Sequence, residues 1–172
     1  MKRTIMPLAI IIAIMGISLG ASAQESATAT ATATIVTPIS ITKTTNMNFG
    51  NVAVQSTTAG TVVLSTAGVR SATDGVTLTG TPGTVTAASF TVNGQGAYTY
   101  SIMLPTADVT LSDGASHTMT VNTFTSNPTA LLGALTAGTQ TLKVGATLNV
   151  GAAQAAGTYV SGTPFTVTVN YN

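Results

Sequence analysis

The side chains that could take part in chemistry are few. The chain contains one histidine, His117, and no cysteine. Asp108 and Asp113 precede His117, so one of these acids, the histidine and a serine could in principle form a catalytic triad. A triad is defined by its geometry, and no spacing in the sequence supports one here. His117 comes just after a turn, on the polar approach to a strand, which predicts a solvated side chain.

The remaining acidic residues do not form a site either. A hydrolase that uses two carboxylates needs them paired in a cleft, but Glu25 is close to the N-terminus and Asp74 and Asp113 each precede a glycine, as turn residues do. One histidine and scattered acids provide no metal-ligand cluster. Gly94-Gln95-Gly96 joins two predicted strands and opens no helix, so it does not fit a phosphate-binding loop. We predict a protein that is not an enzyme, with no catalytic residue, cofactor or metal.

The N-terminus has the features of a secretory signal. Lys2 and Arg3 precede an apolar run over residues 5–19, and Ala21-Ser22-Ala23 follows. This order predicts a signal peptide over 1–23, cleaved between Ala23 and Gln24. The run is shorter than the roughly twenty residues that span a bilayer, and polar sequence follows it, which disfavours an uncleaved anchor. We expect an exported protein, extracellular or at the cell surface, with no stable membrane anchor.

Cleavage would also change the sign of the charge. The full chain has a formal net charge of +1. Without Lys2 and Arg3, three basic residues (Lys43, Arg70 and Lys143) stand against four acidic ones. Nucleic-acid binding requires a basic patch, so we expect no nucleic-acid partner.

Alternation of apolar and polar residues runs through most of the chain and predicts strands. The clearest run is Leu142, Val144, Ala146, Leu148 and Val150. The 36 threonines favour strands as well. The best helix candidate, residues 130–135, is short and contains glycine. We predict an all-β fold: an antiparallel β-sandwich of about ten short strands, with Greek-key connections expected.

Two hairpins are predicted from turn dipeptides. In the first, Asn93-Gly94 joins the strand that contains Ala88, Phe90 and Val92 to the strand that starts near Tyr98. In the second, Asp113-Gly114 joins Val109 and Leu111 to Met119 and Val121. Tyr98 and Tyr100 share one face of a predicted strand, which implies that both are buried or both are displayed. Their alternation with Ile102 and Leu104 favours burial.

Residues 24–36 form a Thr/Ala-rich extension before the sandwich domain, which we place at 37–172. Alanine and threonine alternate here, so the extension has a small apolar face and a hydroxylated face. It is either a flexible linker or a strand that becomes ordered by adding to a sheet edge. The pattern does not decide between these two interpretations.

Three segments carry a family resemblance. The first is Met47-Asn48-Phe49-Gly50-Asn51-Val52, which leads into the strand Gly60-Thr61-Val62-Val63-Leu64; the second is Tyr98-Thr99-Tyr100-Ser101-Ile102; and the third is Ala155-Ala156-Gly157-Thr158-Tyr159 followed by residues 165–172. Together they resemble a bacterial secreted family catalogued as a domain of unknown function. That family is similar in outline to spore coat protein U and to the pilins of the chaperone–usher pathway, which implies an immunoglobulin-like (pilin-like) form of the antiparallel β-sandwich. Such pilins end in an alternating strand with a penultimate aromatic residue, here Tyr171.

The resemblance implies roles for two sets of residues. Phe165, Val167, Val169 and Tyr171 would form the groove and the chaperone-recognition strand, whereas Ala29, Ala31, Ala33 and Ile35 would be donor-strand residues. It also implies self-association into a polymer, a periplasmic chaperone and an outer-membrane usher. The chain departs from the pilin pattern in its missing disulfide, in Tyr159 where a glycine is expected, and in its alanine-based donor pattern.

We therefore expect a non-enzymatic structural subunit of a surface filament or coat that assembles by strand addition. The alternative is a monomeric secreted module that binds a glycan or a matrix protein, with Tyr98 and Tyr100 exposed together.

Overall fold

The computed structural model describes residues 23–172, so the predicted signal peptide, except for Ala23, lies outside the described residues. The chain divides into two units, Met1–Thr34 and Ile35–Asn172. Residues 23–34 of the first unit are exposed and have no regular secondary structure. Within the described range, no helix is long and apolar enough to cross a membrane.

The described residues contain strands and no helix, as predicted. There are thirteen strands instead of about ten, because several pairings involve only two or three residues. The strands are β1 (Ser40–Thr45), β2 (Val52–Val54), β3 (Gly60–Leu64), β4 (Arg70–Asp74), β5 (Val76–Leu78), β6 (Ala88–Asn93), β7 (Thr99–Met103), β8 (Val109–Ser112), β9 (Thr118–Asn127), β10 (Gly133–Ala134), β11 (Thr139–Val150), β12 (Val160–Ser161) and β13 (Thr168–Tyr171).

Residues 130–135, the best helix candidate in the sequence, form no helix, in agreement with the all-β prediction. Leu131 has a left-handed backbone (φ 67°), which an α-helix does not allow. Gly133 and Ala134 form β10 and pair with Tyr100 and Thr99. Gly133 has a steric role, because a Cβ there would lie 2.5 Å from ring atoms of Tyr100.

The strand β11 is the centre of an eight-stranded antiparallel sheet. The main path is β1-β6-β11-β9-β8-β12, and β3 also pairs with β11 and carries β4. One edge of β11 pairs with β6 through its first half and with β3 through its second, while β9 pairs with the other edge. The predicted alternation is confirmed, since all five apolar residues from Leu142 to Val150 are buried.

Two small sheets cover one face of the large sheet. The three-stranded sheet β10-β7-β13 shares a core cluster with β6 and β11, in which Val92 and Leu142 meet Tyr100 and Val169. The β2–β5 pair contributes Val76 to a second cluster with β3, β9 and β11. The antiparallel β-sandwich is thus two layers of strands around two adjoining cores.

The hairpin predictions had different outcomes. The β8–β9 hairpin is confirmed, with Val109 opposite Val121 and Leu111 opposite Met119. The β6–β7 hairpin is wrong, because these strands belong to different sheets. The Asn93–Tyr98 segment instead carries the chain from one layer to the other, and Gly94 and Gly96 form backbone hydrogen bonds with Gly138 on the way.

Candidate assembly site at the C-terminal strand

The four C-terminal residues predicted to line a groove belong to the core-facing side of the last strand segment. Val167 and Val169 are buried, and Phe165 and Tyr171 are half-buried. Phe165 packs against Phe124, with ring centroids 5.1 Å apart. The two valines are therefore already covered in the single chain, and the two aromatic side chains are covered in part.

The backbone of β13 is open on one edge. Within residues 23–172, β13 pairs with β7 alone, with Val169 opposite Ile102 and Tyr171 opposite Tyr100. The N–H of Asn172 donates to the carbonyl of Thr99. Because hydrogen-bonding direction alternates along an antiparallel strand, the N–H and C=O groups of Val169 and Tyr171 point away from β7. These groups are available to a further strand.

The terminal strand β1 of the large sheet lies close to β13. It pairs with β6 and is in contact with β13, but the two have no ladder between them in the described part of the chain. Each of these two strands is thus the last strand of its own sheet. A sandwich with an incomplete edge of this kind can be extended by one more strand.

The hydroxyl of Tyr171 joins three parts of the chain. It accepts a hydrogen bond from the N–H of Gln95 at 2.6 Å and donates one to the carbonyl oxygen of Thr37 at 2.8 Å. The N–H of Thr37 donates to Oε1 of Gln95 at 3.1 Å. We refer to Thr37, Gln95 and Tyr171 as the Tyr171 clamp; it holds the start of the sandwich domain beside the end of β13.

The prediction that Tyr98 and Tyr100 are displayed or buried together is wrong. Tyr100 is fully buried, its hydroxyl donates to Oε1 of Gln140 at 2.7 Å, and burial raises its pKa. Tyr98 precedes β7, is 45% exposed, and meets the Tyr171 ring edge-on at 5.5 Å. The strand starts one residue later than the alternation suggested, so the two rings do not form a common platform.

The candidate donor residues are on the surface. Ala29, Ala31 and Ala33 are exposed and belong to no strand, and Ile35 is 97% exposed. A branched apolar side chain so fully in solvent gains free energy from any partner that covers it. The donor roles of these residues stay a prediction, as do the groove and chaperone roles of the C-terminal residues.

The residues considered for chemistry lie at strand ends and in the segments that connect strands. Nδ1 of His117 lies 2.6 Å from Oδ2 of Asp113 at the tip of the β8–β9 hairpin. This hydrogen bond and one from the N–H of Ala115 lower the pKa of the Asp113 carboxyl. Asp108 instead accepts a hydrogen bond from Asn122. Within residues 23–172, no three histidine or acidic side chains form a group that could hold a metal ion.

Arg70 is a structural residue that the sequence analysis missed. Its Nη1 donates to the carbonyls of Phe49 at 2.6 Å and Asn51 at 2.9 Å. Between them, Gly50 has a φ of +67°, and its N–H donates to Oδ1 of Asn48. The Arg70 guanidinium therefore closes the Asn-Phe-Gly-Asn segment into a tight bend. The one sign of this bend in the sequence is its glycine, because glycine tolerates positive φ.

The fold and this site define an antiparallel β-sandwich domain with an open-edged C-terminal strand. The family model described as "Domain of unknown function (DUF4402)" matches residues 39–171, and the chain belongs to that family. Membership of a family of unknown function is therefore confirmed. No curated protein and no solved structure matches the chain. The likeness to spore coat protein U and to chaperone–usher pilins stays a prediction.

Proposed function

We propose that this protein is an exported structural subunit of a surface filament or coat, and that subunits join by β-strand addition. The extension over residues 24–36 of one subunit would pair with the open edge of β13 in the next. The observation that supports this is the orientation of the Val169 and Tyr171 backbone groups away from β7. Main-chain hydrogen bonds supply much of the affinity in such pairing.

The small side chains of the extension suit this edge. Val167 and Val169 are already buried within the domain, so the site offers little room for large donor residues. Alanine at positions 29, 31 and 33 would lie against a covered core, and Ile35 would supply the one larger apolar contact. The threonines between them would face solvent, as period-two alternation requires.

Strand addition would also remove an aggregation hazard. An unpaired edge pairs readily with other chains, and β13 presents one at the surface. In the proposed pathway, an immunoglobulin-like subunit leaves the cytoplasm by its signal peptide, and a periplasmic chaperone covers the edge until an outer-membrane usher passes the subunit to the polymer. The chaperone and the usher are the parts of the proposal that rest on resemblance alone.

The proposal is tested by electron microscopy of material sheared from producing cells, with the protein identified in the same fraction. We expect filaments or a coat that contain this chain, and their loss when residues 24–36 are deleted downstream of an intact signal. Normal polymers from the deleted chain would show that the extension is not the donor. Monomer alone, in cells shown to export the chain, would favour the monomeric binding module instead.

A further inference from the structure

The outer face of the eight-stranded sheet carries an ordered row of hydroxyl and amide side chains. Strand register places the following residues opposite one another on β4, β3, β11, β9 and β8: Thr73, Thr61, Asn149, Thr120 and Thr110. Cross-strand partners in register share a face of the sheet. The residues between them along the strands, such as Val62, Leu148 and Val121, are buried, so this polar row faces away from the core.

The polar row provides both hydrogen-bond donors and acceptors at regular spacing. Threonine hydroxyls and the asparagine amide can each donate and accept, and adjacent strands are about 4.8 Å apart, so the row is about 19 Å long. Some of these donors and acceptors form hydrogen bonds with each other or with the backbone: the Thr61 and Thr73 hydroxyls are 2.8 Å apart, and the Asn149 amide donates to the carbonyl of Thr120. The remaining groups are open to a ligand.

A shallow cleft of about 530 Å³ continues the polar row. Three residues of the row, Thr61, Asn149 and Thr120, line it, and Asp74 and Gln154 add a carboxylate and an amide. Its volume falls within the range of about 300–1,000 Å³ typical of small-molecule sites. The cleft lining is partly apolar as well, so the row and the cleft form one continuous surface of mixed polar and apolar character.

The charge of this surface restricts its ligand. The row contains no lysine or arginine, and carboxylates flank it, since Asp74 follows Thr73 and Asp108 bonds to Asn122 in the neighbouring row. A polyanion such as a nucleic acid would need cations here. Protein-binding surfaces are enriched in aromatic residues, and neither the row nor the cleft contains one. An uncharged ligand rich in hydroxyl groups needs neither cations nor an aromatic centre, and it can form hydrogen bonds with the row.

The twist of the sheet favours a flexible chain over a flat crystalline surface as the ligand. Adjacent strands are rotated by about 20–25°, so the direction of the surface turns steadily from β4 to β8. A flat crystalline face would touch only part of such a row, whereas a single flexible chain can follow it. We infer that a neutral polysaccharide chain binds along the polar row and reaches into the cleft beside Asp74 and Gln154.

Affinity electrophoresis of the purified exported protein tests this inference, which does not depend on filament assembly. Native gels would contain soluble starch, dextran or galactomannan as neutral probes, and alginate as an anionic one. We expect retardation by at least one neutral probe. No retardation by any of the three, or retardation by alginate alone, would overturn the inference.

A matched pair of variants locates the site. The Thr61→Val, Thr120→Val double variant removes two hydroxyls from the row and keeps the β-branched shape, so we expect binding to weaken about tenfold, as the loss of two hydrogen bonds implies. The Thr42→Val, Thr91→Val control makes the same change at paired positions at the other end of the sheet and should bind normally. Equal effects from both pairs would overturn the assignment, and Asn149→Ala provides a second variant with the same expected loss should the first pair unfold.

Discussion

The hydroxyl of Tyr171 donates a 2.8 Å hydrogen bond to the carbonyl oxygen of Thr37, a residue 134 positions earlier in the chain. The same oxygen accepts a hydrogen bond from Gln95. One phenol thus ties the first residues of the sandwich to its last strand. The extension of residues 24–36 ends at this tie, so the point where it joins the domain is held by Tyr171.

Replacing Tyr171 with phenylalanine should lower the free energy of unfolding by about 1–2 kcal/mol, because the Gln95 N–H and the Thr37 carbonyl both lose a partner. Thermal unfolding of the purified domain measures this. Tyr98→Phe is the matched control, since it also removes a tyrosine hydroxyl from the neighbouring ring but no hydrogen bond of the Tyr171 clamp. Equal stability of the two variants would contradict the structural role of the clamp.

Replacing Arg70 with methionine should destabilise the domain by about 1.5–3 kcal/mol, since two carbonyls of the Asn48–Asn51 bend lose a charged donor. Lys43→Met, an exposed change on β1, removes the same charge as a control and should have little effect. Chemical denaturation of both variants checks this. If Lys43→Met were as harmful as Arg70→Met, the loss would come from net charge and not from the bend.

Replacing Ser126 with alanine should leave stability unchanged or raise it by up to about 1 kcal/mol. The Ser126 hydroxyl is buried and has no hydrogen-bond partner, and burying an unsatisfied hydroxyl is unfavourable. Urea unfolding compared with exposed Ser71→Ala measures the difference. A clear loss of stability would show that the hydroxyl has a partner, such as a bound water.

Acid should weaken the tip of the β8–β9 hairpin. The folded-state pKa of Asp113 is lowered, first by its hydrogen bond with His117, so its contribution to stability is present above the unfolded-state pKa and is lost as pH falls through the lower folded-state value. NMR titration of the Asp113 carboxyl should therefore give a pKa below the ordinary aspartate value. His117→Ala should raise it again, and an unchanged titration curve in that variant would contradict the assigned cause.

A charge on the alanine face of the extension should block assembly, whereas one on the threonine face should not. Ala31→Glu would place a carboxylate against the covered core of the next subunit, and Thr30→Glu would place it in solvent. Counting polymers by electron microscopy at equal export levels compares them. If Thr30→Glu blocked assembly and Ala31→Glu did not, the opposite face would be the one that docks.

The sequence determined the fold class and the composition of the core. Period-two alternation marks which side of each strand can be buried, because burial follows local hydrophobicity, and the five apolar residues of β11 show this. The second hairpin was also readable, since Asp113-Gly114 and its flanking strands pair locally.

Only the tertiary structure decided how the strands are distributed between the layers. The Asn93-Gly94 dipeptide suits a tight turn, yet β6 pairs with β1 and β11 in one sheet, and β7 pairs with β10 and β13 in another. The different burial of Tyr98 and Tyr100, the bend closed by Arg70, and the hydrogen bonds of Tyr171 with Thr37 and Gln95 were unpredictable for the same reason. Each depends on contacts between residues far apart in sequence, and local pattern carries no information about which distant partner a side chain will meet.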